Sequence, residues 1–173
     1  MTGLADAAPM QHLMLAPVLL PLLVAALMLL LGEERHRLKM ALNVGSCAAL
    51  LGVSCLLLLR AANEGAPQAV GVYLPGNWQA PFGIVLALDR LSALMLVLTS
   101  LVGLAAALFA CARWHRVGVH FHVLFQLQLM GLAGAFLTAD LFNLFVFFEV
   151  TLAASYGLLL HGSGRARVLS GMH

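Results

Sequence analysis

Glu149 is the residue around which chemistry can be built. It is the ninth residue of a twenty-residue apolar run, Leu141 to Leu160, and the only charged side chain within it. If the run crosses a bilayer, the carboxyl sits near mid-membrane. A charge at that depth costs roughly 2.5 to 3.5 kcal/mol on insertion scales. Desolvation raises the pKa of such a carboxyl and a nearby cation lowers it. A partner that approaches and retreats therefore loads and unloads a proton, which is what a proton relay requires. A structural carboxylate bonded to a neighbouring helix is the alternative. Helical spacing puts Phe142, Phe145, Val146, Leu152, Ala153 and Tyr156 on the Glu149 face, and that face is expected to point into a bundle. Tyr156 offers a hydroxyl partner there.

A second polar set lies upstream. His122 and Gln126 are four residues apart and share one helical face, while Gln128 points nearly the opposite way. His122 and Gln126 are candidates for a polar approach from the cytoplasm, and Gln128 for a bond to a neighbouring helix. Asp140 stands at the other end of this segment, as a helix N-cap or as part of an outer ion entry, and the cap is favoured. Two histidines at 120 and 122 point apart on a helix, so no metal site is expected. Cys47, Cys55 and Cys111 show no CxxC or zinc-type spacing. GxGxxG, GxxxxGK[ST], HExxH and GxSxG are all absent, and no cofactor is expected.

The elements that must position these residues follow from composition. Of 173 residues, 62% are hydrophobic and 9% charged, against about 25% charged in a soluble domain. Nine Lys/Arg and seven Asp/Glu cannot cover the surface of a soluble globule this small. The same scarcity excludes a disordered chain and a nucleic-acid binder with a basic face. What remains is an all-α, polytopic transmembrane bundle forming one membrane domain over residues 1–173. Five spans are predicted, at about 13–31, 40–59, 91–112, 119–139 and 141–160. An outer loop at 60–83 is rich in Asn, Gly, Pro and Gln, and its Trp78 and Tyr73 suit an interface.

The basic residues test that count. The first, third and fifth loops carry Arg35, Arg37, Lys39, Arg113, Arg116, Arg165 and Arg167, and the other side carries Arg60 and Arg90. By the positive-inside rule this seven-to-two split places the N-terminus outside the cytoplasm. Losing or adding one span would scramble the pattern.

Three stretches are similar to a known family. They are Gly76-Asn77-Trp78-Gln79-Ala80-Pro81-Phe82-Gly83-Ile84-Val85 continuing through Leu88-Asp89-Arg90-Leu91-Ser92-Ala93-Leu94-Met95, then His120-Phe121-His122-Val123-Leu124-Phe125-Gln126-Leu127-Gln128-Leu129-Met130-Gly131, and finally Gly134 through Glu149, running on from Ala154 to Gly162. They resemble the N-terminal part of the D subunit of the multisubunit Mrp-type Na⁺/H⁺ antiporters, a family related to the antiporter-like membrane subunits of respiratory complex I. The resemblance implies a bacterial inner-membrane location, other antiporter membrane subunits as partners, and H⁺ with Na⁺ or another monovalent cation as the transported ions. It also implies that Glu149 is the fifth-helix acid serving as a central protonation site. The family pairs that acid with lysines on later helices, beginning with the seventh. The chain stops before a sixth helix, so a fragment or truncated product is expected. Two other readings remain: a proton-pumping membrane subunit of an NADH–quinone reductase, and a non-catalytic helical module in which Glu149 only joins helices.

Overall fold

The computed structural model describes residues 12–32, 34–63, 71–77, 83–113 and 120–161. Trp78, Arg116, Arg165, Arg167 and the Gly162–Gly164 loop lie outside them.

Five helices follow in the predicted order. A 3₁₀ turn, His12–Leu15, leads into α1, Ala16–Leu30. Helices α2, His36–Asn63, and α3, Arg90–Arg113, flank a small hairpin. Helices α4, Phe121–Leu137, and α5, Leu141–Leu159, complete the bundle. In α1, Pro17 occupies the first turn, where its missing N–H is not needed. Pro21 lies inside the helix and removes one backbone bond, a loss tolerated in membrane helices because neighbours resatisfy the freed group. Both prolines are buried against the bundle.

Among the described residues, four segments are long and apolar enough to cross a membrane: His12–Leu30, His36–Ala62, Arg90–Ala112 and Leu141–Leu159. The expected fourth span is the exception. Helix α4 has 17 residues, about 25 Å at 1.5 Å per residue, short of the roughly 30 Å hydrocarbon core. It ends early because Thr138 turns extended, with its N–H on the Gly134 carbonyl. In contrast, α2 starts before the predicted span and runs past Arg60, because Arg37, Lys39 and Arg60 all fit helical backbone at its two ends. The surface is strongly apolar, with Leu23, Leu30, Phe109 and Phe142 each more than 60% exposed in this chain.

One piece is not helical. The loop expected between α2 and α3 contains β1, Gly71–Tyr73, paired antiparallel with β2, Leu86–Leu88, in the register Val72 opposite Ala87. Alternation sends Leu86 and Leu88 inward, 2% and 7% exposed, onto Met14, Leu57, Ala61, Ala93, Leu96 and Leu137. The β2 strand also bridges to Thr138, and Ala139 N–H donates to the Val85 carbonyl at 2.8 Å. The hairpin thus ties the turn between α4 and α5 to the end of the bundle where α2 stops and α3 starts. Arg90 strengthens that end by donating from Nε to the Ala61 carbonyl at 3.1 Å, a cation on a helix C-terminus. Arg60 and Arg90 therefore share one end of the bundle, while Arg35, Arg37 and Lys39 gather where α2 begins at the other. This grouping matches the charge parity read from the sequence.

Candidate functional site

Helix α5 owes its start to Asp140. The carboxylate accepts from Asn143 N–H at 2.7 Å and from the Asn143 side-chain amide. Its other oxygen lies 3.5 Å from Val85 N–H. Asp140 is thus the N-cap, as favoured from the sequence. Partial desolvation pushes its carboxyl up, but the Asn143 donors outweigh it and hold the group below the usual carboxylate range. Asp89 plays the same part for α3, accepting from Ser92 N–H at 2.6 Å, and that bond holds its carboxyl low.

From the cap, α5 runs along α4 at close range. A Cβ on Gly131 would run into the Thr151 hydroxyl, and one on Gly134 into the Phe147 ring. These two glycines let the backbones approach, in the manner of small residues at membrane helix interfaces. Thr151 turns its hydroxyl back to the Phe147 carbonyl at 2.9 Å, so it needs no partner on α4. Phe147, Thr151 and Ala154 therefore form the side of α5 that packs inward.

Glu149 is on the other side. It is exposed in this chain, as are Phe142, Phe145, Val146, Leu152, Ala153 and Tyr156. The expectation that this face points into the bundle is not met within the chain. The physical reason is that, among the described residues, α4 is the only helix α5 packs against extensively, and the glycine stripe of α4 selects the opposite face. Among the described residues the Glu149 carboxylate has no hydrogen bond or ion pair. Tyr156 shares its face but makes no bond to it. The carboxylate thus stands mid-helix on an open apolar surface.

Gln126 is placed very differently. It is fully buried where α4 meets α2. Its Nε2 donates to Asn43 Oδ1 at 2.8 Å and lies 3.3 Å from the Asn43 carbonyl and 3.7 Å from Cys47 Sγ. Its Oε1 accepts from Ser46 Oγ at 3.1 Å. His122, one turn earlier, is also buried at 4% exposure rather than solvated at an interface, with the Phe121 ring centred 5.3 Å away. The structure therefore joins Gln126 to α2, with His122 buried one turn before it on α4. It does not bring them together with Glu149 or Asp140.

Sequence reasoning passed over the α2 half of this cluster. Asn43 and Ser46 lie inside the apolar span predicted at 40–59, and Lys39 falls among the first-loop charges. Lys39 is 4% exposed in the first turn of α2. The signal was present in the spacing: Lys39, Asn43, Ser46, Leu50 and Ser54 fall on one helical face. Further along that face Ser54 is satisfied internally, donating to the Leu50 carbonyl at 2.8 Å. Gln128 opens onto a groove of about 330 Å³ between α3 and α4, lined by Thr99, Gly103, Phe125 and Leu132. Its Oε1 is buried with no partner among the described residues, so the expected bond to a neighbouring helix is not made there. The three cysteines are unpaired. No three His, Cys, Asp or Glu side chains gather around a metal position among the described residues.

No family model matches the chain. Individual proteins do. The chain is 58% identical over 165 residues to a protein of Rhizobium meliloti described as the probable D subunit of a K⁺/H⁺ antiporter, covering 95% of this chain and 31% of that one. It is 39% identical over 155 residues to the D subunit of the Na⁺/H⁺ antiporter of Alkalihalophilus pseudofirmus, covering 88% and 30%. Among solved structures it superposes on a chain of the Mrp complex from Dietzia sp. DQ12-45-1b with a TM-score of 0.83 and 32% identity, over 94% of this chain and 30% of the other. The chain spans about 30% of the length of the relatives it matches.

Proposed function

We propose that this chain, a multi-pass membrane protein homologous over that stretch to the D subunit of monovalent cation/proton antiporters, serves as part of such a subunit. The antiporter would exchange cytoplasmic Na⁺ or K⁺ for external protons, working with other antiporter membrane subunits in a bacterial inner membrane. Glu149 is the proton-carrying carboxylate. The observation that carries this reading is its position, mid-way along α5 on the face that this chain leaves open. A carboxylate in lipid is costly, and the open face gives it access to a cation on whatever packs there. Covering and uncovering by such a cation would shift its proton affinity in the direction transport needs.

The remaining polar residues divide between two roles. Asp140 fixes where α5 begins and so sets the depth of Glu149. His122 and Gln126 belong to a separate polar approach on the side where α2 and α4 start, which the charge parity makes cytoplasmic.

The test uses the complete, assembled antiporter carrying this chain, in inside-out membrane vesicles. Glu149→Gln keeps the shape and removes the charge. Cation-driven proton flux should fall at least tenfold while the protein stays in the complex. Normal flux with normal assembly would remove Glu149 from this role. Na⁺ and K⁺ compared side by side identify the ion.

A further inference from the structure

We propose that Gly131, on α4, is a positioning residue for Glu149. It is the seat that fixes how far the carboxyl stands off the bundle and which way it faces. This role rests on the reading of Glu149 as the proton-carrying carboxylate; the contact behind it does not.

Three glycines bring α4 and α5 together, at different levels and in different ways. A Cβ on Gly134 would meet only the Phe147 ring, and one on Gly157 only the Leu124 side chain, at 2.9 Å. Both obstacles are the ends of side chains, which can swing aside. Gly131 lies between them in level and differs in kind. A Cβ there would strike the Thr151 hydroxyl and would also stand 3.1 Å from Phe147 O and 3.1 Å from Thr151 N. Those two atoms are the ends of one rung of the α5 hydrogen-bond ladder, and a rung does not swing aside. Only a residue without a Cβ lets α5 lie this close.

Phe147 and Thr151 are the residues seated on Gly131, and Glu149 is midway between them in sequence. At about 100° and about 1.5 Å per residue it lies diametrically across the helix from their midline, within about 3 Å of their level. The seat is therefore directly behind the acid. Helix α4 cannot retreat from a bulkier residue at 131. Its far side is fixed to α2 by Gln126, bonded to Asn43 and Ser46, and Ala133 and Leu137 are set in the core, 1% and 0% exposed. Helix α5 can move, because among the described residues α4 is its only extensive contact. A methyl at 131 therefore drives α5 outward along the line on which Glu149 faces, toward the segment that packs on the open face. A carboxyl brought nearer a cation gives up its proton more readily.

The test uses the complete, assembled antiporter in inside-out vesicles, with cation-driven proton flux expressed per copy of assembled complex and followed over pH. Gly131→Ala should move the midpoint of the flux–pH profile toward acid by about half a pH unit or more. Gly134→Ala, which loses stability against the Phe147 ring, should keep the wild-type midpoint. So should Gly45→Ala on α2, where a Cβ meets open space. Gly131→Ala combined with Thr151→Ala removes the hydroxyl that the methyl strikes and leaves the two backbone contacts. Its shift has the same sign and is smaller, and it covers the case in which the single variant does not assemble. A wild-type midpoint in the Gly131 variants, or an equal shift in Gly134→Ala, overturns the positioning role and leaves Gly131 a packing residue. Glu149→Gln separates the two readings. Normal flux in that variant removes the transport assignment, whereas lost flux there with an unmoved midpoint in Gly131→Ala removes the positioning role alone.

Discussion

Arg90 Nε lies 3.1 Å from the carbonyl oxygen of Ala61, so the first residue of α3 closes the last turn of α2. The bond is charge-assisted and answers the partial negative charge of a helix C-terminus. It joins two helices across the hairpin that separates them in sequence.

Replacing Arg90 by Met keeps the stem and removes the donor. A hydrogen bond to a charged group is worth about 1.5 to 3 kcal/mol, and partial exposure puts this one at the lower end. The expected loss is about 1.5 kcal/mol, seen as a lower unfolding midpoint in detergent. Lys should recover only part, because it lacks the planar guanidinium fork.

The Asp140 cap makes a prediction with a sign. Asp140→Ala should cost about 1 kcal/mol, while Asp140→Asn keeps most of the cap. The folded carboxyl lies below its ordinary value. Its contribution is therefore complete above the unfolded carboxylate pKa of about 4 and disappears as pH falls through the lower folded value. In a pH series of unfolding midpoints, wild type should lose its advantage over Asp140→Ala below about pH 4. The Asn variant should lie flat relative to Ala over the same range.

The contact of Gly134 with the Phe147 ring predicts a rescue. Gly134→Ala adds a methyl where the ring already lies, and overpacking costs about 1 to 3 kcal/mol. Phe147→Leu in the same chain should return much of that loss. A double-mutant cycle on unfolding midpoints measures it, and purely additive effects would show that the two residues do not meet.

The buried node predicts an asymmetry. Gln126→Leu strands Asn43 and Ser46 together, and each unsatisfied buried group costs about 1 to 3 kcal/mol. Removing the set, with Asn43→Leu and Ser46→Ala added, should be less damaging than the single change. Stability of the purified complex in detergent reports both.

These residues also mark where sequence reading succeeds. Five helices in order were legible because a membrane helix must be apolar for most of its length, and Pro17, Asp89 and Asp140 stand where helix starts want them. Among the described residues, Arg35, Arg37 and Lys39 stand at one end of α2 and Arg60 and Arg90 at the other, as the alternation of basic residues along the chain required. The β1–β2 pairing was not legible, since three-residue strands lack enough alternation to stand out from a Gly/Pro-rich loop. The short end of α4 at Leu137 was hidden as well, because Thr138 and Ala139 are as compatible with helix as with the extended backbone that meets Leu86. At the candidate site, Glu149 announced itself by type and depth. Its facing did not, because the choice of buried side on α5 belongs to Gly131 and Gly134 on another helix. Gln126 was visible, but its partner Asn43 needed the distance between two helices.

The turn from α4 to α5 is three residues, Thr138, Ala139 and Asp140, a tether of about 10 Å at full extension. That brevity has an entropic consequence. With α4 formed, α5 is held beside it at an effective concentration on the order of millimolar. The pair therefore behaves as a single helical hairpin. The short tether thus favours the one pairing of α4 and α5 that leaves Glu149 turned away from its sister helix.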